Sequence, residues 1–344
     1  MTVPATPTAE ERLAFLTQLE RLLSEGSFVA TYKYALLIAL TEIAVERGDD
    51  SGDAFALTIR DIAERFIALY WRQAAPYGFG VRDGSGGVLI QNQGRQAEMI
   101  QVVTALRTRF PTVASARHGA QWAKTVTRVS ALLKTMPLWR LQKLRHGTLE
   151  FIYRRGAHAG EIVLLPGVVA NLRYFHGFIT RTVQGEWLRF VQEVPANQDY
   201  LGATVDLSDF LFGRDRGALV RARDGLRELQ SGRCFYCAAA LREAVDVDHF
   251  IPWSRYPRDL VHNLLATHPS CNANKSNLLA AEPYRERWSL WITERDTDLA
   301  AIGNKSGLIV DRPTAERVAE WSYVHARQIG AEVWMGGARY GAIG

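Results

Sequence analysis

All three cysteines of this 344-residue chain lie between Cys234 and Cys271, and each belongs to a pair of candidate ligands separated by two residues. Cys234 and Cys237 form a C-x-x-C knuckle, and His268 with Cys271 forms an H-x-x-C further on. An odd cysteine count without regular spacing is not a disulfide framework, so the pattern reads as a reduced, intracellular protein with a metal site. Two knuckles bring four soft N and S ligands into a tetrahedron, the arrangement of a closed structural Zn²⁺ site. Scattered buried thiols would not fall into such pairs with every cysteine used. A segment built this way holds its shape through the ion rather than through a large core.

Between the knuckles, Val245 and Val247 alternate ahead of Asp248-His249-Phe250-Ile251-Pro252. Neighbours on a strand point to opposite faces, so Asp248 and His249 share a site only if the chain turns there. Pro252 and the loop to Asn263 could supply that turn. Past Cys271, Asn272 and Lys275 stand at the start of a predicted helix. Asp248 and Asn272 each offer a hard oxygen, which suits Mg²⁺ or Mn²⁺ rather than zinc, with Asn274 a second choice for Asn272. Soft and hard donor sets side by side specify two different metals.

Taken together, C-x-x-C, D-H-x-x-P, Asn263 before Leu264-Leu265, and the ending Cys271-Asn272-x-x-Lys275 resemble the HNH endonuclease family. The catalytic core of that family is the ββα-metal fold. The run DVDHFIPWS is similar to the HNH domains of RNA-guided CRISPR nucleases and to stand-alone HNH proteins of prokaryotic anti-phage and mobile-element systems. The resemblance covers about Gly232–Leu279. It implies that His249 is the general base for the attacking water, and that Asp248 and Asn272 hold one divalent metal on the scissile phosphate. It also implies that Asn263 fixes the loop orienting the imidazole, and that Cys234, Cys237, His268 and Cys271 bind the structural zinc. The chain departs from the family in having Asn272 where many members have His, and His268 where Cys is usual. A histidine of ordinary pKa accepts a proton at neutral pH, which fits the role assigned to His249. Around this site Arg255, Arg258 and Lys275 are candidates for phosphate contacts, Trp253 for core packing, and His262 for an exposed loop.

The rest of the chain reads as mainly helical, giving an α+β protein. Thr8 and Glu11 form a capping box, followed by apolar residues at helical spacing. A second helix covers Phe28–Arg47 and ends at Gly48, and a third starts near Thr58. Gly78–Gly87 reads as a loop, and Gln93–Met136 as two helices broken at Phe110–Pro111. Thr148–Arg154 and Glu161–Leu165 make a hairpin, and a helix opens after Pro166-Gly167. Turn residues over Pro195–Gly213 mark a domain boundary. This divides the chain into a helical recognition or partner region (1–200), an HNH domain (213–285) and a helical extension (286–344). Trp288, Trp291, Trp321 and Trp334 are expected to pack the extension back onto the nuclease, since so many aromatics do not stay exposed. Arg214–Leu229 reads as an amphipathic helix, either a brace or a second basic surface. Lys33, in the apolar run TYKYALL, is expected to snorkel.

Charge is distributed unevenly. From Arg107 to Arg155 there are eleven basic residues and one acid, Glu150, a net +10 that leaves −5 for the remainder of a chain whose total is +5. Interleaved with Trp122, Trp139 and Tyr153, this block suits a surface for a phosphate backbone, with Lys124, Arg128, Arg140, Lys143 and Arg145 as contacts. The alternative is a set of solvated helix faces. The N-terminus lacks an export signal, and no apolar run approaches the roughly 20 residues of a membrane span, so a soluble, cytoplasmic protein without membrane contact is expected. No nucleotide-binding loop, helicase or methyltransferase motif stands in residues 1–210. The expected function is metal-dependent hydrolysis of double-stranded DNA in an anti-phage system, with other subunits or a second copy as partners. Two alternatives are a catalytically silent zinc-stabilised binding module and an effector inactive without its complex.

Overall fold

A computed structural model describes residues 6–78, 87–201, 206–214, 216–242 and 244–344 of the chain. The expected Gly78–Gly87 loop lies largely outside these residues, as does part of the Pro195–Gly213 segment. The chain forms two compact units, 1–212 and 213–344. The architecture is mixed α+β, mostly helical in the first unit and with small sheets in both. No described helix is long and apolar enough to cross a membrane.

The first unit is built around the helix Tyr32–Arg47, which is buried along nearly its whole length. Local signals set its neighbours. Thr8 caps Ala9–Glu25 and Thr58 caps Ile59–Gln73, each in a reciprocal capping box with Glu11 and Asp61 respectively. Such boxes satisfy two of the orphan N–H groups at a helix start. The central helix begins at Tyr32 rather than Phe28, because Ala30 bridges Asn92 and Thr31 N–H donates to the Gln91 carbonyl, which holds the preceding residues out of the helix. Three helices, not two, fill the next stretch: Glu98–Arg107, Val113–Arg117 and Trp122–Thr135. The strands Tyr153–Arg155 and Glu161–Leu164 pair antiparallel as a hairpin, and Phe55–Thr58 adds to its other edge. Val168–Tyr174 and His176–Glu193 complete the layer over the central helix.

Buried charges in this unit are mostly compensated. Arg65 pairs with both Glu42 and Glu46 on the central helix. Arg173 pairs with Asp50 at 2.7 Å and donates to the carbonyls of Ala44, Val45 and Gly48, closing the C-terminus of that helix. Lys33, expected to snorkel, is 8% exposed and lines a cleft.

In the second unit an antiparallel pair, Asp246–His249 with Leu264–Thr267, runs into the short helix Pro269–Lys275. This ββα element packs against the helix Arg216–Leu229. On that helix Arg221 donates to the Ser306 carbonyl and Arg227 to that of Leu241, so these two arginines brace the unit. The core joins the ββα element to the C-terminal residues through aromatic rings. Phe250 stacks on Trp288 with centroids 4.7 Å apart, and Tyr236 meets Trp334 edge-on at 4.9 Å. The Trp288 indole N–H also donates to the His262 carbonyl. A three-stranded sheet of Leu279–Ala280, Glu332–Gly336 and Arg339–Ala342 closes the chain.

Candidate metal centre and nuclease site

The first knuckle is a tight turn. Ala238 N–H donates to the Cys234 carbonyl and Cys234 N–H to that of Ala239, with Ala238 at a positive φ of 61°. Phe235 N–H ties the turn to the Ala266 carbonyl of the neighbouring strand. His268 then ends that strand as the N-cap of Pro269–Lys275 and places Cys271 in the first turn. The ligand atoms of Cys234, Cys237, His268 and Cys271 all lie within 4.8 Å of one another. Among the described residues this is the one cluster of three or more His, Cys, Asp or Glu ligands. Three free thiols and an imidazole fit a closed, tetrahedral zinc site.

The orientation of His268 supports the same donor set. Its Nε2 lies 3.2 Å from the Ala240 carbonyl, so the proton belongs on Nε2 and the Nδ1 lone pair faces Cys237 Sγ at 3.3 Å. A backbone partner on the far nitrogen is how ligating imidazoles are commonly held. The thiols respond differently to their crowding. Burial raises Cys234, but backbone N–H donors from Cys237, His268 and Tyr236 outweigh it and the net shift is downward. Burial, together with the neighbouring Cys234 and Cys237, pushes Cys271 up to about 12. A bound cation offsets such mutual repulsion.

The hard-donor residues stand on the adjoining strand. Asp246 and Asp248 alternate along it and share one face, while His249 is its last residue and leads into the bend at Phe250 and Ile251. Asp248 is buried; its Oδ2 accepts from Tyr236 Oη at 2.6 Å and pairs with Lys275 Nζ at 3.0 Å. Lys275 also donates to the His249 carbonyl at 2.8 Å. Asn272 donates from Nδ2 to Asp246 Oδ2 at 3.0 Å, which leaves its amide oxygen as a donor atom. Asn263 clamps the residue two beyond the histidine, accepting from Ile251 N–H at 2.7 Å and donating to its carbonyl at 2.9 Å. The ring of His249 is buried, with Nε2 2.8 Å from Asp259 Oδ1 and Trp253 edge-on at 5.4 Å.

Several expectations change here. Lys275, expected to reach a phosphate, is 0% exposed and neutralised by Asp248. His262 is not an exposed loop histidine: it is fully buried, pairs with Asp296 at 2.8 Å, and burial lowers its pKa against the pull of that carboxylate. Arg255 and Arg258 are half-buried, and burial pulls the Arg255 guanidinium below its ordinary value. In the first unit Lys124 and Arg128 are exposed on one helix, with Arg128 paired to Glu98 at 3.2 Å. Arg140, Lys143 and Arg145 are exposed beside a separate cleft. Other members of the basic block serve packing: Arg107 donates to the Trp71 carbonyl, and Arg155 lies over the Trp139 ring at 4.5 Å.

Asp259 and Tyr236 were not singled out from the sequence. Asp259 lies ten residues past His249 in an irregular loop, so no periodicity links them. Tyr236, inside the C-x-x-C knuckle, shows only as an aromatic at a position that spacing leaves unspecified.

A ββα element with a Cys₃His cluster beside a D-H strand defines the HNH class, and the HNH endonuclease family matches residues 234–281. The second unit thus contains an HNH endonuclease domain, and the class implies a nucleic-acid substrate and a divalent metal. Ahead of it, a family described as a domain of unknown function (DUF8808) matches residues 12–209, more than half of the chain. The protein belongs to that family. No curated protein matches it.

Proposed function

We propose that the chain is a metal-dependent endonuclease that hydrolyses DNA phosphodiester bonds, with His249 as general base. The observation carrying this reading is the His249–Asp259 pair on a strand that also bears Asp246 and Asp248, inside the stretch matching HNH endonucleases. Asp259 accepts the Nε2–H hydrogen bond, which keeps that proton on Nε2 and leaves Nδ1 to accept one from water, as a carboxylate–imidazole pair does when it fixes the tautomer of a base. Water then attacks phosphorus, and the bond to the leaving oxygen breaks. The hard donors that would hold Mg²⁺ or Mn²⁺ are Asp248, once the ion takes the place of Lys275 on its carboxylate, and the Asn272 amide oxygen, with Asp246 beside them. Bound there, the ion would offset charge developing on the phosphate. Arg255 and Arg258 lie on the loop beyond the base and suit backbone phosphates. A double-stranded target and a place in an anti-phage system rest on the resemblance of the DVDHFIPWS run.

The test is cleavage of supercoiled plasmid by the full chain with Mg²⁺ or Mn²⁺, alongside single-stranded DNA and RNA. Wild type should nick the plasmid, and His249→Ala should lose at least about 10²-fold in rate, the usual worth of a general base, while keeping its zinc. No cleavage of DNA by the wild-type chain with either metal would sink the reading, and so would cleavage of RNA alone.

A further inference from the structure

A cleft of about 420 Å³ opens in the first unit, lined by none of the residues assigned above to catalysis. Its walls are the segment Ser27–Lys33, the turn at Met136–Pro137, and the small hairpin in which Lys143 pairs with Thr148. A bridge between Gly26 and Leu144 fastens that hairpin to the end of the first helix. Four cations line the cleft, Lys33, Arg140, Lys143 and Arg145, and no carboxylate does among the described residues.

Lys33 is the unusual member. It is more than nine-tenths buried, yet it makes no hydrogen bond or ion pair among the described residues; its neighbour is the Phe28 ring, 5.0 Å away. It also stands in the first turn of a 16-residue helix whose N-cap, Thr31, makes no side-chain capping bond. A helix N-terminus carries partial positive charge and unsatisfied N–H donors, which disfavours a cation and favours an anion. Burial and the nearby Arg140 hold the Lys33 ammonium down to about 8. Uncompensated positive charge from three independent sources therefore converges on one recess.

We propose that this cleft binds a phosphorylated small molecule of nucleotide size. The volume falls within the roughly 300–1,000 Å³ of small-molecule sites, which pair apolar walls with a few polar anchors. Val29, Tyr32, Met136 and Pro137 supply the apolar wall for the organic part. Arg140 offers a planar fork for bidentate contact with phosphate oxygens, and the lysines add point charges. The recess distinguishes this from a grip on a continuous strand: a backbone phosphodiester, flanked by sugars on both sides, reaches an exposed ridge more readily than an ammonium inside a cleft. A terminal phosphate can enter. The inference does not depend on the catalytic reading, because it uses none of the residues of that site; it reassigns Arg140, Lys143 and Arg145, expected above to meet a phosphate backbone, to the recess.

The test is calorimetric titration of the full-length zinc-loaded protein with ATP, inorganic pyrophosphate and a 5′-phosphorylated 12-nucleotide strand. ATP should bind, and Lys33→Met should weaken it about tenfold or more, the worth of one charge-assisted contact. Lys143→Ala, at an exposed rim position that cannot disturb the core, should weaken it severalfold. Plasmid cleavage by the same preparations reports on the nuclease separately. The proposal is overturned if neither ATP nor pyrophosphate binds, or if binding survives both substitutions unchanged. A strand that binds through Lys33 while ATP does not would overturn it equally, by assigning the recess to a nucleic-acid end.

Discussion

Lys275 and Lys33 are both more than nine-tenths buried, one in each unit, but their surroundings differ in nearly every respect. Lys275 closes the last turn of its helix, where the dipole favours a cation, and it meets Asp248 and the His249 carbonyl within 3.0 Å. Lys33 opens its helix, where the dipole opposes a cation, and faces Arg140 in place of a carboxylate. The first charge is compensated by a carboxylate; the second has only the Phe28 ring, 5.0 Å away. Burying an ionised group without a partner is costly, and a chain that keeps such a group identifies it as serving something the chain does not itself contain. The zinc cluster follows the same logic with the sign reversed. Thiols crowd together there because a cation is expected between them.

The largest effect is expected at that cluster. Chelating the metal, or replacing Cys271 with Ser, should unfold the second unit, since a structural zinc supplies apparent binding energy on the order of 10 kcal/mol. Loss of its near-ultraviolet tryptophan signal would report this, with the first unit's helical circular dichroism retained. A second unit that stays folded without metal would show that its aromatic core suffices. Next in size is Lys275→Met. Removing one partner of a buried pair strands the other, so this substitution should cost about 3–5 kcal/mol in chemical denaturation. An unchanged midpoint would mean that Asp248 is held by Tyr236 alone and that the two lysines are not opposites.

Which of these features could be read in the sequence depends on how far their causes reach. The boxes at Thr8–Glu11 and Thr58–Asp61 are local, and the helices start where the boxes say. The knuckles are local pairs, and the structure brings all four ligands together. The Tyr153–Arg155 hairpin and the Gly48 helix end are legible for the same reason. The contacts that sequence left open are tertiary. Lys275 finds Asp248 across 27 residues, His249 finds Asp259 through a loop without period, and His262 finds Asp296 on a later helix. Lys33 looked able to snorkel because its neighbours in sequence are apolar. What encloses it, the turn and hairpin around Arg140 and Lys143, arrives more than a hundred residues later.

The smallest expected effect has the opposite sign, and for that reason discriminates best. Lys33→Met removes a charge that the fold opposes, so it should stabilise the first unit by about 1–3 kcal/mol while weakening ATP binding. The gain should depend on pH in a defined direction. The folded-state pKa of Lys33 is lowered from 10.5 to about 8, so between those values the unfolded chain holds more of this proton than the folded one. The cost of the charge is thus fully present below about pH 8 and fades as pH rises toward 10.5. The charged groups sharing the cleft, Arg140, Lys143 and Arg145, are common to both proteins, so they cancel in the difference. Melting temperatures of wild type and Lys33→Met, measured from pH 7 to pH 10, should converge as pH rises. A gap that stays constant would show that Lys33 keeps an ordinary pKa, and a variant less stable than wild type would show that the fold already compensates the charge.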